Sequence, residues 1–261
     1  MKISFIESPE GLEVGTEQWE SLQSQIIDQH SDVLITNEMP FGNWLAVSSE
    51  YNQELASASI AAHSAGIEGL KGLQLPLILS SQPVLTGDCL ANEAFAMVQG
   101  HYQAVHHKHY FPQEPGFYEA SWFKANKTGF NIIKTPLLNV GFLLCTELMF
   151  NEWARHYGRN GAQLIAVPRA AGQTYNHWKT AAAMAAIVSG CYVVSANRSG
   201  ATADGQIFGG KSFAYAPDGC LICETDNTHP VCSFEVDLDW VARAQREYPC
   251  YVSELSFPNA I

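Results

Sequence analysis

Short apolar runs rich in β-formers alternate along this chain with segments of helical period, and that alternation points to a mixed sheet covered by helices. The run ISFI precedes a helical stretch around EQWESLQSQIIDQ, and DVLIT follows at 32–36. A long helix within YNQELASASIAAHSAG is expected to close at Gly66, ahead of the run LPLILSS at 75–81. Residues 90–106 read as two strands that turn at Gly100. NIIKT and LNVGFLLC flank Pro136; helix 151–159 leads to QLIAVP, helix 177–189 leads to YVVSAN, and the final short strands turn at PDG, 217–219. So many strands suggest two packed sheets. With no repeat, low-complexity stretch or linker, residues 1–261 read as one α/β domain.

Composition narrows the partners. At 47% hydrophobic and 15% charged, the chain can fill a large core and carries no signature of disorder. A formal net charge of -12 argues against nucleic acid or an anionic membrane as the main partner, because both require a basic face. The seven cysteines are odd in number and irregularly spaced, and Cys220 and Cys223 form a CxxC with no second ligand pair. Reduced thiols in the cytoplasm are the expectation. MKISFIESPE lacks the apolar core of a signal peptide, and AAAMAAIVSGCYVVSA at 181–196 is too short to span a bilayer.

Within this frame Cys145 is the position most suggestive of chemistry. LNVGFLLC turns polar at Thr146 and Glu147, so the strand is expected to deliver Cys145 to the rim of a sheet, where open α/β folds bind ligands. An isolated cysteine is more often a packed core residue, so a nucleophile requires a base and a cation nearby. Glu38 follows DVLITN and stands beyond a strand end in the same way. Lys108 lies in HHKHYFPQEPG, among histidines at 101, 106, 107 and 109. Alternation along a strand sends His106 and His107 to opposite faces, which argues against a shared metal.

The motifs TNEMPF, HHKHYF and LLCTEL, in this order, resemble the Glu, Lys and Cys motifs of the nitrilase superfamily of carbon–nitrogen hydrolases. GAQLIAVP at 161–168, Trp178, ANRSG at 196–200, FGGKS at 208–212 and PDG at 217–219 extend the resemblance over almost the whole chain. It implies a four-layer α-β-β-α sandwich, assembled as a homodimer or a higher homo-oligomer. It also implies that Cys145 is the nucleophile, Glu38 the general base, and Lys108 the fixed charge facing an oxyanion, with the Thr146 backbone N–H as a second donor. Glu114, six residues after Lys108, would orient the lysine or the substrate. The scheme requires no metal and no organic cofactor. Two departures stand out: His106-His107 replaces the usual Tyr-Arg before the lysine, and Thr146 replaces the Trp that follows the cysteine in many nitrile-cleaving members.

The substrate is less constrained. Arg169, directly after QLIAVP, could hold a substrate carboxylate or make a structural ion pair, and Phe41 and Trp122 could line an apolar pocket or belong to the core. Small amides come first as substrates, ureido (N-carbamoyl) compounds second and nitriles third. An acyltransferase and an inactive binding protein are the alternatives from other classes.

Overall fold

The computed structural model describes residues 1–126 and 129–254; the one-domain expectation for 1–261 also covers residues 127, 128 and 255–261, which lie outside the described residues. Among the described residues one sheet has six strands, in the order Val231–Glu235, Lys2–Ile6, Val33–Ile35, Leu77–Thr86, Cys89–Val98, His101–His107. The other has eight. Its main path runs Leu221–Glu224, Phe213–Tyr215, Tyr192–Ala201, Leu164–Arg169, Asn139–Phe142, Ile133–Lys134, and two short strands pair with Tyr192–Ala201. The centre of each sheet is parallel, and the flanking strands are antiparallel.

Alternating side chains explain the layers. Ile3, Phe5, Val33, Ile35, Leu77 and Leu79 of the first sheet meet Val140, Phe142, Leu164, Ala166 and Val194 of the second in one core. Their neighbours Ile6, Leu34 and Ile78 face outward onto the helices Glu17–Asp28 and Gln53–Gly72. Ile165, Val167 and Val193 likewise face the helices Asn151–Arg159 and Tyr175–Ser189. Strands buried on both faces must be apolar throughout, which is why the runs in the sequence are continuous. The fold is an α-β-β-α sandwich.

Three local expectations are corrected. The second helix does not close at Gly66 but runs from Gln53 to Gly72. Gly66 serves instead as a site of close approach: a Cβ there would stand 2.0 Å from a ring carbon of Phe41. The strand before the nucleophile covers only Asn139–Phe142, and Cys145 opens a 3-10 turn over Cys145–Met149. The helix after QLIAVP starts at Tyr175, ahead of position 177. The hairpin expected at Gly100 is present, with Gln99 and Gly100 both at positive φ between Cys89–Val98 and His101–His107.

Gly141 shows how tightly the second sheet meets its helices. A Cβ there would lie 2.6 Å from the ring of Tyr157, which is fully buried and whose hydroxyl donates to Phe142 O at 2.7 Å. Gly141→Ala should therefore lower stability by about 1–3 kcal/mol, as for other overpacked cores, read as an earlier midpoint in urea unfolding. An unchanged midpoint would show that the Tyr157 ring can yield.

Candidate active site

The nucleophile candidate is presented by strained backbone. Cys145 has φ +50, in the left-handed region that L-residues seldom adopt, and its side chain is buried. Glu147 holds this conformation from behind. Its Oε2 accepts from Leu144 N at 2.8 Å and lies 2.8 Å from His106 Nε2, while its Oε1 accepts from His109 N at 2.7 Å. Thr146 sits in the first turn of the 3-10 helix, where backbone N–H groups lack an intrahelical acceptor.

Lys108 follows the strand His101–His107, and its own N–H donates to Asn92 O at 2.9 Å. Its ammonium is fully buried, 2.8 Å from Glu38 Oε1 and 2.5 Å from Glu119 Oε2. Asn92 Nδ2 also donates to Glu38 Oε1, at 2.7 Å. Two donors thus occupy one oxygen of Glu38, whereas Oε2 is buried with no hydrogen-bond partner among the described residues. The loop after Glu38 is clamped by Arg198, whose guanidinium donates to Gly42 O at 3.1 Å and to Met39 O and is ion-paired with Glu10.

Lys108 contacts Glu38 directly and both act electrostatically on Cys145, but other expected residues lie elsewhere. Glu119 is the second carboxylate on Lys108; Glu114 is exposed and does not meet the lysine, although it lines the same cavity as Cys145. Phe41 belongs to the core, packed on Trp19 and His63 at ring distances of 5.6 and 6.0 Å. Trp122 is also core: its indole N–H donates to Ser48 O at 2.8 Å, and it has no exposed surface. Arg169 does not project as a surface anchor. It is fully buried, with Nε donating to Ser195 Oγ at 2.8 Å, Nη2 to Lys211 O at 3.0 Å, and its guanidinium over the rings of Trp178 and Phe213. His106 and His107 each meet their own carboxylate, Glu147 and Glu93.

A cavity of about 200 Å³ reaches Cys145. Glu114, Phe117, Glu119, Thr146 and Trp178 line it together with the segment 170–174. Asn197 fixes that segment, accepting from Ala171 N at 2.9 Å and donating to Ala171 O at 3.2 Å. Asn92, Glu119 and the lining role of Trp178 were missing from the sequence reading. Asn92 offered one signal, a polar residue inside the apolar run CLANEAFAMV.

The charges are tuned by burial. Burial raises the Cys145 thiol well above its ordinary value; Glu38 adds to the rise and Lys108 opposes it, so the resting sulfur is a neutral thiol. Burial works against the Lys108 ammonium, but Glu119 and Glu38 outweigh it and hold the lysine charged. Burial also pushes the Glu119 carboxyl up to about 8, with Lys108 opposing and Glu38 reinforcing.

A profile described as carbon-nitrogen hydrolase matches residues 80–246. The chain belongs to this family. It is 28% identical over 160 residues to N-carbamoylputrescine amidase of Arabidopsis thaliana, covering 55% of this chain and 54% of that protein. It is 27% identical over 122 residues to an omega-amidase of Xenopus tropicalis, covering 46% of this chain and 44% of that protein. The chain thus spans about half the length of the curated relatives it matches. The crystal structure of a carbon-nitrogen hydrolase from Helicobacter pylori G27 superposes with a TM-score of 0.83 at 20% identity, over 96% of this chain and 94% of that one. An amidase from Nesterenkonia sp. superposes with a TM-score of 0.76 at 17% identity, over 94% and 95%. At such identities these two matches establish the hydrolase fold. No helix among the described residues is long and apolar enough to cross a membrane.

The raised carboxyl of Glu119 has a stability signature. Its folded value lies above the ordinary 4.5, so the fold favours the protonated form. That contribution is complete below about 4.5 and is lost as pH rises towards about 8. Glu119→Gln, which mimics the protonated carboxyl, should therefore remove part of the decline in urea-unfolding stability between those pH values. Parallel pH profiles for the two proteins would contradict this assignment.

Proposed function

We propose that this protein hydrolyses a small amide through a cysteine thioester, with Cys145 as nucleophile, Glu38 as general base and Lys108 as the fixed charge beside the oxyanion. The observation that carries the reading is the division of labour on Glu38. Lys108 and Asn92 anchor Oε1, and Oε2 keeps a free lone pair in a buried site shared with a protonated thiol. A neutral thiol needs such a base at the moment of attack.

In the proposed sequence, Glu38 takes the thiol proton as sulfur bonds to the carbonyl carbon. Negative charge gathers on the carbonyl oxygen, facing the Lys108 ammonium and the Thr146 N–H. The C–N bond breaks, Glu38 returns the proton to the leaving nitrogen, and ammonia or an amine departs. Water, deprotonated by Glu38, then attacks the thioester and releases the acid and the thiol. Glu119 keeps Lys108 charged and in place, so it is a positioning residue here. The scheme draws on no metal or organic cofactor.

A ureido substrate is the second reading. It is supported by similarity to N-carbamoylputrescine amidase, and the same thioester logic would release ammonia and carbon dioxide. Nitriles rank lower because Thr146, not Trp, follows the nucleophile. We also assign the protein to the cytoplasm and to a homo-oligomer, which size-exclusion chromatography with light scattering would test.

Ammonia release across short amides, ureido acids and nitriles should be cysteine-dependent, and Cys145→Ala should abolish it without loss of fold. Glu38→Gln and Lys108→Ala should each lower kcat by about 10²-fold or more, with circular dichroism confirming that the variants are folded. Turnover retained by Cys145→Ala would remove the thioester mechanism. Transfer of the acyl group to an added amine would identify an acyltransferase.

A further inference from the structure

The charges around the cavity suggest which substrates it accepts, an inference that rests on the amidase reading above. Two carboxylates, Glu114 and Glu119, line the cavity, and no lysine, arginine or histidine does so among the described residues. Two nearby buried cations are already ion-paired, and a third is packed against aromatic rings. Lys108 lies between Glu38 and Glu119, Arg198 is paired with Glu10, and Arg169 is sealed against Trp178 and Phe213 with no exposed surface. Glu119 has no exposed surface and its Oε1 has no hydrogen-bond partner among the described residues, so an unpaired polar atom lies at the inner part of the cavity. Glu114 stands exposed at the outer part, on the loop between Lys108 and Glu119. A substrate carboxylate would meet the like charge of Glu114, whereas a cationic tail would find a partner there.

We propose that the cavity selects amides whose far end carries an ammonium group, and that Glu114 is the specificity-determining residue. The test uses three amides of similar length: butyramide, 4-aminobutyramide and succinamate, with ammonia release followed at low and high salt. The cationic amide should have the highest kcat/KM and the anionic one the lowest. Glu114→Gln should raise KM for 4-aminobutyramide about threefold, the scale of one exposed ion pair, with little change in kcat. Added salt should shrink the preference. Glu114→Asp should restore it, and Glu114→Lys should shift it towards succinamate. Equal kcat/KM for the cationic and neutral amides would overturn the inference while leaving the hydrolase reading intact. A preference for succinamate would also overturn it and return Arg169, whose Nη1 lacks a partner, to the role of anchor. Silence from all three would overturn the assignment of small amides as substrates, and this inference with it.

A separate observation concerns Cys223 and Cys232. Asp226 and His229 form an isolated antiparallel bridge in the turn that links the strands bearing Cys223 and Cys232. Cys232 Sγ donates to Glu224 O at 3.1 Å, the carbonyl of the residue after Cys223, and each thiol shifts the titration of the other, Cys223 upward and Cys232 downward. Cys223 belongs to an edge strand of the eight-stranded sheet and Cys232 to an edge strand of the six-stranded one. The geometry points to a peroxide-sensitive disulfide that would tie the edges of the two sheets together. The Cys232 thiolate would attack hydrogen peroxide to give a sulfenic acid and hydroxide; the Cys223 thiol would then attack that sulfur, forming the S–S bond and releasing water. Peroxide treatment of the Cys145→Ala protein should yield a Cys223–Cys232 linked peptide under non-reducing digestion. The Tm should rise, and the rise should reverse with dithiothreitol and be absent in Cys232→Ser. No linked peptide, a different cysteine pairing, or an unchanged Tm would overturn the proposal.

Discussion

A buried ammonium held between two carboxylates is the interaction on which the site depends. Lys108 has no exposed surface and lies within hydrogen-bond distance of Glu38 and Glu119. Removing a buried ammonium and its acidic partners from water is costly, and only close pairing compensates for it. Glu38 and the segment from Lys108 to Glu119, distant in sequence, must therefore converge before the charge can be buried. Asn92 completes the arrangement from the neighbouring strand, fixing both the backbone of Lys108 and one oxygen of Glu38.

Around this cluster, polar side chains also fix the backbone. Arg198 holds the loop that follows Glu38, and Asn197 holds the loop that follows Arg169. Both sit on the strand Tyr192–Ala201, so one strand positions two walls of the site. Ser212 adds a link between the sheets, donating to Ile6 O at 2.9 Å and accepting from Asn197 N at 2.8 Å. Such buried donors and acceptors are costly when unpaired, which gives the loops defined positions without regular secondary structure.

Much of this was legible in the sequence because it rests on period and order. Strands buried on both faces must be apolar, and the runs DVLIT, QLIAVP and YVVSAN reported the sheet centres directly. What was not legible depends on distance in space. Gly66 resembled a helix stop because glycine commonly ends helices; it lies mid-helix because the Phe41 ring occupies the space of its absent side chain. Glu114 and Glu119 share one short segment, and only the turn of helix at Glu119–Trp122 decides which carboxylate reaches Lys108. Arg169 followed an apolar run and so suggested a rim position, yet Trp178 and Phe213 cover it.

Glu147 joins elements that the fold otherwise leaves on different sheets. His106 and His109 flank the end of a strand in the six-stranded sheet, and Leu144 follows a strand of the eight-stranded one. One carboxylate grips both. Apolar side chains between two sheets give attraction without direction and tolerate small sliding; a carboxylate with fixed donors on either side does not. The spacing between the lysine-bearing and cysteine-bearing segments is therefore insulated from changes in core packing. Substitutions between the sheets can alter stability while Lys108 and Cys145 keep their alignment.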